Sequence, residues 1–90
     1  MKAINDSHFV YVLKCGDGKL YTGYTSNLPR RLRLHNLGVA SKFTRGRKPF
    51  SLVHLESYNT KSEALKRELE IKRMKRSGKL KLVLYKAERF

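Results

Sequence analysis

The fold of this chain is decided by the stretch His8-Phe-Val-Tyr-Val-Leu-Lys14, Cys15-Gly-Asp-Gly18 and Lys19-Leu-Tyr-Thr-Gly-Tyr-Thr25. The first and last of these runs are rich in aromatic and β-branched residues, which are typical of β-strands. The Gly-Asp-Gly sequence between them is typical of a tight turn, because both residue types tolerate the backbone conformations that turns require. The stretch therefore predicts a β-hairpin.

The pairing within this hairpin decides where two tyrosines lie. If Tyr11 pairs opposite Tyr21, both hydroxyls emerge on one face of the sheet. That register leaves Cys15 to Asp17 as a three-residue loop, with Gly18 in the left-handed conformation that such hairpins favour. A four-residue loop would instead separate the two tyrosines. Core packing is the alternative interpretation of both side chains.

A helix is predicted directly after the hairpin. Ser26 or Asn27 is placed to cap it, Pro29 lies in its first turn, and Gly38 lies just past its end. Each of these residue types is favoured at that position of a helix. Residues 38–50 then form a loop that is rich in basic side chains.

A third strand and a second helix are predicted next. Ser51 to Tyr58 indicates a strand, although its apolar residues do not alternate cleanly. Thr60 and Glu63 have the spacing of a capping box, in which their side chains satisfy free backbone amides at the start of a helix. We expect this helix to run to about Arg76, where Ser77-Gly78 stops it.

The tail is predicted as a third helix. Leu80, Val83, Leu84 and Ala87 have helical spacing, although Leu80, Leu82 and Leu84 also alternate as in a strand. The predicted order is therefore ββαβαα. It describes an α+β domain with a small three-stranded, mainly antiparallel sheet flanked by helices. The 90 residues have room for one domain, residues 1–90, with a core at about residues 8–79.

The charge of the chain indicates a polyanionic partner. Lys and Arg number 21 against 7 Asp and Glu, which gives a formal net charge of +14. Such a surface repels itself in the compact state, and phosphate backbones neutralise it through contacts that release counterions. We therefore expect nucleic acid as the partner. A solvated basic surface without a partner is the alternative.

A membrane is not the expected partner. No stretch is long enough to span a bilayer, and the basic residues are spread over the whole chain rather than along one helix. The start, Met1 to Phe9, is too short and too polar for a signal peptide. A single cysteine, Cys15, makes neither an internal disulfide nor a zinc cluster. These features predict a cytoplasmic protein.

Glu68 is an unusual carboxylate. On a helical projection it lies between Ala64, Leu65 and Ile71, in the middle of the apolar stripe of the second helix. A lone carboxylate on a core-facing side is costly unless it is paired or holds a metal. Helix geometry alone leaves a metal ligand and a salt bridge to an arginine equally open.

Arg31 and His35 are four residues apart, so both project from one side of the first helix toward the sheet. A guanidinium there could clamp a phosphate and stabilise charge that develops on it. Arg31 could instead be one more solvated arginine, since Arg30 and Arg33 lie beside it. His35 could instead be packed in the core, since a lone histidine is more often packed than catalytic.

Five segments, in this order, resemble the motifs of the GIY-YIG nuclease superfamily. Phe9-Val-Tyr11 and, after nine intervening residues, Tyr21-Thr-Gly23 resemble the paired motifs that name the superfamily. Thr25-Ser-Asn-Leu-Pro-Arg-Arg31 looks like its strand-to-helix segment, and His35-Asn-Leu-Gly38 like the His-Asn-x-Gly element that follows. Ala64-Leu-Lys-Arg-Glu68-Leu-Glu-Ile-Lys72 looks like the helix that bears the metal-binding glutamate. The likeness is greatest to small standalone bacterial members.

The resemblance implies a domain that cuts phosphodiester bonds with one divalent metal. It implies that Glu68 holds Mg²⁺, or Mn²⁺ as a substitute, and that Arg31 stabilises the transition state. It further implies that Tyr11 acts as general base or positions the attacking water. Tyr21 and His35 would complete the site, and Gly23 would allow a close backbone approach. The sequence departs from the motifs at Phe9 and Thr22, neither of which supplies a catalytic group.

The expected substrate is nucleic acid, with DNA favoured over RNA and with branched or damaged DNA among the candidates. A partner protein could supply specificity. A non-catalytic nucleic-acid-binding module and a small RNA-binding or ribosome-associated basic protein are the alternatives. The candidate phosphate contacts lie in the basic loop and the helices, namely Arg30, Lys42, Arg45, Arg47, Lys48, Arg67, Lys72, Arg73, Lys75 and Arg76.

Overall fold

A computed structural model of the protein describes residues 7–83 and 88–89. Its elements, in chain order, are β1 (His8–Lys14), β2 (Leu20–Thr25), α1 (Leu28–Asn36), β3 (Ser51–Tyr58), α2 (Lys61–Lys72), α3 (Arg76–Leu82) and β4 (Glu88–Arg89). The predicted α+β class and the order ββαβαα are confirmed. The two-residue β4 follows them and was not predicted.

The sheet is antiparallel throughout, with the strand order β2-β1-β3-β4. Strand β1 is central and pairs with β3 along its whole length and with β2 from Phe9 to Lys14. Strand β4 pairs only with Ser51 and Leu52 at the start of β3. Strand β2 is therefore an edge strand of the described sheet.

The hairpin register differs from the prediction. Tyr11 lies opposite Gly23, and Tyr21 lies opposite Leu13. The pairing of Tyr11 with Tyr21 is therefore wrong. The reason is that Cys15 extends the ladder: its N–H donates to the Lys19 carbonyl at 2.8 Å, and its side chain is buried.

The three-residue loop is retained but shifted by one residue, to positions 16–18. Gly18 has a φ of +87°, as predicted for the left-handed position of such a loop. The pairing moves by two residues, and side chains alternate with a period of two along a strand. The two tyrosines therefore still share a face of the sheet.

Helices cover both faces of the sheet, α1 the first face and α2 with part of α3 the second. Tyr11 and Leu13 pack on the first face with Leu28 and Leu32 of α1, and Phe50 joins them from the basic loop. The second face carries a core that α2 covers, and its buried members are Val10, Val12, Val53, Ala64 and Ile71. We call these the α1 face and the α2 face.

The caps of the two longer helices follow the prediction. Asn27 accepts a hydrogen bond from the Arg30 N–H at 3.1 Å and caps α1, which ends before Gly38 at a φ of +80°. Thr60 accepts one from the Glu63 N–H at 3.2 Å and caps α2. Local side-chain chemistry therefore sets both starting points.

The end of α2 was predicted wrongly. The helix ends at Lys72 rather than at Arg76, and Ser77-Gly78 lies inside α3 instead of stopping a helix. The turn between them lets Met74, together with Leu82, pack against the core of the α2 face. Tertiary packing thus outweighs the weak stop signal of a serine and a glycine.

The predicted tail helix is observed from Arg76 to Leu82, while Leu84 and Ala87 lie outside the described residues. No helix in residues 7–83 and 88–89 has the length and apolar character needed to cross a membrane.

Candidate active site

Tyr11 lies across the edge strand at Gly23. A Cβ atom added at position 23 would lie 2.5 Å from both Cζ and the hydroxyl oxygen of Tyr11. Only glycine therefore leaves room for the phenol ring above β2. This explains the glycine by packing: it lets the side chain of a central strand reach toward the edge of the sheet.

His35 of α1 is hydrogen-bonded on both ring nitrogens. Its Nε2 lies 2.8 Å from the Tyr11 hydroxyl, and its Nδ1 lies 2.8 Å from Oγ1 of Thr44. Tyr11, His35 and Thr44 are all fully buried. Burial, together with the charge of Arg31, lowers the pKa of His35 to about 4. The imidazole is therefore uncharged at neutral pH.

Charges from both helices act on the Tyr11 phenol. Burial raises its pKa well above the ordinary value, and the neighbouring Tyr21 phenol and Glu68 carboxylate raise it further. The positive charge of Arg31 opposes this rise. Tyr11 is therefore protonated in the free protein at neutral pH. Arg31 from the α1 face and Glu68 from the α2 face both act at this one hydroxyl.

Tyr21 is the more accessible of the two tyrosines. It is half-buried, whereas Tyr11 is not exposed at all. Its ring lies 5.2 Å from His35 and 6.3 Å from Tyr11 between centroids, and it stacks on Phe43 at 5.9 Å. A continuous row of rings therefore leads from the buried histidine to the exposed Phe43 in the basic loop.

Glu68 is paired within its own helix. Its Oε2 lies 3.2 Å from Nζ of Lys72, one turn further along α2. The Glu68 side chain is 17% exposed, whereas that of Lys72 is 50% exposed. Among the described residues, the partner of Glu68 is therefore this lysine and not an arginine. An ion pair with so exposed a lysine contributes little to stability, so its loss to a competing cation is not costly.

The described residues hold no cluster of three or more His, Cys, Asp and Glu side chains. Mg²⁺ tolerates this, because it keeps several waters and is often bound by one or two carboxylates plus substrate phosphates. The half-buried carboxylate of Glu68, beside Tyr11, fits such a site. It does not fit a metal cage built entirely from protein ligands.

The basic loop is fastened to the hairpin tip. Arg47 forms an ion pair with Asp17, and its carbonyl accepts a hydrogen bond from the Gly16 N–H at 2.6 Å. The Arg47 guanidinium also lies 4.7 Å from the centroid of the Phe43 ring. Arg47 therefore has a structural role besides the phosphate contact predicted for it.

Arg67 is also paired within the protein, with Glu56 and Glu70. The other candidate contacts are exposed: Arg30, Lys42, Arg45, Lys48, Lys72, Arg73, Lys75 and Arg76.

Two basic cavities border this region. One, of about 230 Å³, is lined by Lys19, Leu20, Phe43, Arg76 and Lys79. The other, of about 120 Å³, lies at the start of α1 and is lined by Tyr24, Thr25, Ser26, Asn27, Arg30, Arg31 and Leu34. Both have the cations that phosphate groups require.

Thr44 and Ser41 also belong to this hydrogen-bond network and were not predicted from the sequence. Oγ of Ser41 lies 3.0 Å from Oγ1 of Thr44 and accepts a hydrogen bond from the Thr44 N–H at 3.0 Å. The Ser-x-x-Thr spacing inside the loop is a signal of such a turn. Nothing in the sequence indicates that the threonine also contacts His35, nine residues earlier.

The family model of the GIY-YIG catalytic domain matches residues 7–81 of the sequence. The chain belongs to the GIY-YIG family. A UPF0213 protein of Staphylococcus aureus (strain Mu3) is 55% identical over 78 residues, which cover 87% of this chain and 95% of the relative.

Two solved structures are also similar. The UPF0213 protein BH0048 from Bacillus halodurans has a TM-score of 0.57 at 46% identity, and covers 84% of this chain and 81% of its own. EF2693 from E. faecalis has a TM-score of 0.58 at 45% identity, and covers 81% and 78%. The predicted membership of the GIY-YIG superfamily is confirmed.

Proposed function

We propose that this GIY-YIG protein is a divalent-metal-dependent endonuclease that hydrolyses phosphodiester bonds, with DNA as its favoured substrate. The observation that carries the proposal is the convergence on Tyr11. A buried phenol and an uncharged histidine lie where Arg31 and Glu68 bring opposite charges from the two helices. Metal-dependent cleavage of a phosphodiester bond uses such groups together: a base, a cation for the phosphate and a metal ligand.

Arg31 binds the scissile phosphate in this proposal. Its guanidinium lines the cavity at the start of α1, together with Arg30. A bidentate contact with the phosphate stabilises the negative charge that grows on the non-bridging oxygens during attack.

Tyr11 acts as the general base once its phenol is deprotonated. The phenolate takes a proton from the water as the water oxygen attacks phosphorus and the leaving oxygen departs. His35 holds the phenol oxygen through Nε2 and remains uncharged. Tyr21, half-buried beside both groups, packs against the substrate and excludes bulk water.

Glu68 would hold Mg²⁺, or Mn²⁺ as a substitute, once its carboxylate is no longer paired with Lys72. The ion would supply positive charge at the phosphate and lower the pKa of a bound water. A single protein carboxylate is compatible with Mg²⁺, which keeps several waters.

The exposed cations and the two basic cavities hold the strand on either side of the cut. Phosphate contacts of this kind position a substrate without reading its sequence. Sequence or structure specificity then comes from the shape of the substrate or from a partner protein. A nucleic-acid substrate and the free thiol of Cys15 both support a cytoplasmic location.

A non-catalytic nucleic-acid-binding module is the second candidate. The Glu68–Lys72 ion pair favours it, because a paired carboxylate needs no metal. In that case Glu68→Gln leaves nucleic-acid affinity unchanged or improves it, and wild type cleaves nothing.

The test is cleavage of single-stranded, duplex and branched DNA and RNA during a titration with Mg²⁺ or Mn²⁺. We expect Glu68→Gln and Arg31→Ala to lower the rate by about 10²- to 10³-fold. Glu70→Gln on α2 and Arg33→Ala on α1 are matched controls, since both side chains are exposed, and should cleave like wild type. Binding is measured by fluorescence anisotropy without metal. Binding without metal-dependent cleavage by wild type would establish the second candidate.

A further inference from the structure

A line of hydrogen bonds runs from the Tyr11 phenol to the surface of the basic loop. The hydroxyl of Tyr11 lies 2.8 Å from His35 Nε2, and His35 Nδ1 lies 2.8 Å from Thr44 Oγ1. Thr44 Oγ1 then lies 3.0 Å from Oγ of Ser41. The first three residues are fully buried, whereas Ser41 is partly exposed. We call these four residues the Tyr11 relay.

Every member of the relay can both donate and accept a hydrogen bond. A neutral imidazole has one N–H and one free nitrogen, and a hydroxyl has one proton and two acceptor sites. In one direction Tyr11 donates to Nε2, Nδ1–H donates to Thr44, and Thr44 donates to Ser41. In the other direction each of these bonds is reversed. Both arrangements satisfy all four groups, so the relay can change direction without a charged histidine.

The buried phenol needs such a path. Tyr11 has no exposed surface, so its proton has no direct way into water in the free protein. Three other groups face it. Tyr21 approaches from β2, the Arg31 guanidinium from α1 carries no acceptor, and the Glu68 carboxylate from α2 is engaged by Lys72. His35 is therefore the neutral acceptor already in hydrogen-bond contact with the hydroxyl.

We propose that Thr44 and Ser41 are positioning residues that complete a proton relay from Tyr11 to solvent. The proposal rests on the nuclease function above. The Tyr11 proton moves to His35 Nε2, the Nδ1 proton moves to Thr44, the Thr44 proton moves to Ser41, and the Ser41 proton leaves to a solvent water. The products are a phenolate and a hydronium ion. His35 changes tautomer and stays neutral.

The relay is reset in each catalytic cycle. The phenolate accepts a proton from the attacking water and becomes a phenol again. The leaving oxygen takes its proton from solvent. As the product departs, the phenol releases its proton to water in the open site and takes back the Nε2 proton of His35. Nδ1 then regains a proton from Thr44, Thr44 from Ser41, and Ser41 from solvent water, which restores the starting tautomer and direction. For each bond that is cut, one proton therefore passes outward through Thr44 and one passes back.

Thr44→Val tests the relay, because valine has nearly the same shape without the hydroxyl. We expect kcat to fall by about 10- to 100-fold, since positioned proton transfer contributes at least that much, while KM stays unchanged. Thr44→Ser keeps a hydroxyl and should restore most of the rate. Thr22→Val is the matched control, because Thr22 is another buried threonine, and its hydroxyl has no hydrogen-bond partner among the described residues.

A second readout does not depend on the rate alone. In mixtures of H₂O and D₂O, kcat of wild type should depend on the deuterium fraction along a curve, because several protons move together. Thr44→Val should reduce this curvature. The ring ¹⁵N shifts of His35, measured by NMR without metal or nucleic acid, should report a different tautomer ratio in Thr44→Val and the wild-type ratio in Thr22→Val.

Ser41→Ala provides a milder change at the partly exposed end, in case Thr44→Val does not fold. We expect a loss of several-fold in kcat, because a water can take the place of the serine hydroxyl. If wild type cleaves and Thr44→Val and Ser41→Ala cleave equally well with an unchanged isotope curve, the relay is wrong and the nuclease function stands. If wild type cleaves no substrate, the nuclease function itself is wrong.

Discussion

Two polar networks lie on opposite faces of the same sheet and are built in opposite ways. On the α1 face, the Tyr11 relay is uncharged and its inner members are completely buried. On the α2 face, the Glu56 carboxylate accepts hydrogen bonds from Arg67 at 2.9 and 3.1 Å, from the Tyr58 hydroxyl at 2.6 Å and from His54 at 2.7 Å. This second network is charged and partly exposed.

The difference teaches what each network is suited to do. Burial raises the pKa of Glu56, but the hydrogen bonds from Arg67, Tyr58 and His54 outweigh it and hold the pKa at about 2. That carboxylate keeps its charge near neutral pH and ties α2 to β3, which fixes the helix that carries Glu68. The neutral relay can exchange protons among its members, so it is suited to chemistry rather than to fastening.

The largest expected difference between the networks is in acid. Folding lowers the pKa of His35 from 6.5 to about 4, so the unfolded chain takes up a proton at a higher pH than the folded protein. The stabilisation is complete above pH 6.5 and is lost as the pH falls through 4. Folding lowers the pKa of Glu56 from 4.5 to about 2, so its stabilisation is complete above pH 4.5 and is lost below that.

Lowering the pH through either of these two ranges should reduce the free energy of unfolding by about 3 kcal/mol. Urea unfolding at a series of pH values measures both. His35→Gln should remove the loss of stability between pH 6.5 and 4, and Glu56→Gln should remove the loss below pH 4.5. The assignment fails if His35→Gln leaves the slope between pH 6.5 and 4 unchanged.

Gly23→Ala should disturb the α1 face alone. The new Cβ would overlap the Tyr11 ring, so the ring must move away from His35. We expect a loss of about 2–3 kcal/mol in the free energy of unfolding, as for other overpacked cores. Gly78→Ala is the control, because its Cβ meets Met74 at an ordinary 3.5 Å within α3. Equal unfolding curves for Gly23→Ala and wild type would show that the phenol does not need this space.

Arg67→Met should disturb the α2 face alone, and less strongly. It removes two hydrogen bonds to Glu56 but leaves those from Tyr58 and His54, and the Arg67 side chain is already 26% exposed. We expect a loss of about 1–2 kcal/mol. Lys66→Met, at the neighbouring exposed position, is the control. The ring ¹⁵N shifts of His35 should stay as in wild type; if they move, the two networks are coupled through the sheet.

The sequence was sufficient where a few neighbouring residues determine the structure. The hairpin, the Asn27 cap of α1 and the Thr60–Glu63 cap of α2 all depend on contacts within four residues or on one turn. The family motifs also selected Tyr11, Tyr21 and His35 as one group, and the structure places their ring centroids within 6.3 Å of one another.

The sequence was not sufficient where distant packing decides. The end of α2 depends on Met74 reaching the core, and the hairpin register depends on the burial of Cys15. Thr44 lies in a loop without regular structure, so no periodicity connects it with His35. The partner of Glu68 was also open, because helix spacing cannot distinguish a lysine of the same helix from an arginine elsewhere.

The ion pair and the hydrogen bond that join the hairpin tip to the basic loop have a consequence for the order of folding. It joins Asp17 to Arg47, thirty residues later, and the hydrogen bond from Gly16 closes the same long loop. Closing such a loop is entropically costly and slow compared with forming a hairpin. We therefore expect the hairpin to form first. The basic loop, with Thr44, packs against the hairpin afterwards. A chain that has formed only the hairpin would hold Tyr11 and Tyr21 in place but would lack the Tyr11 relay, which ends at Ser41.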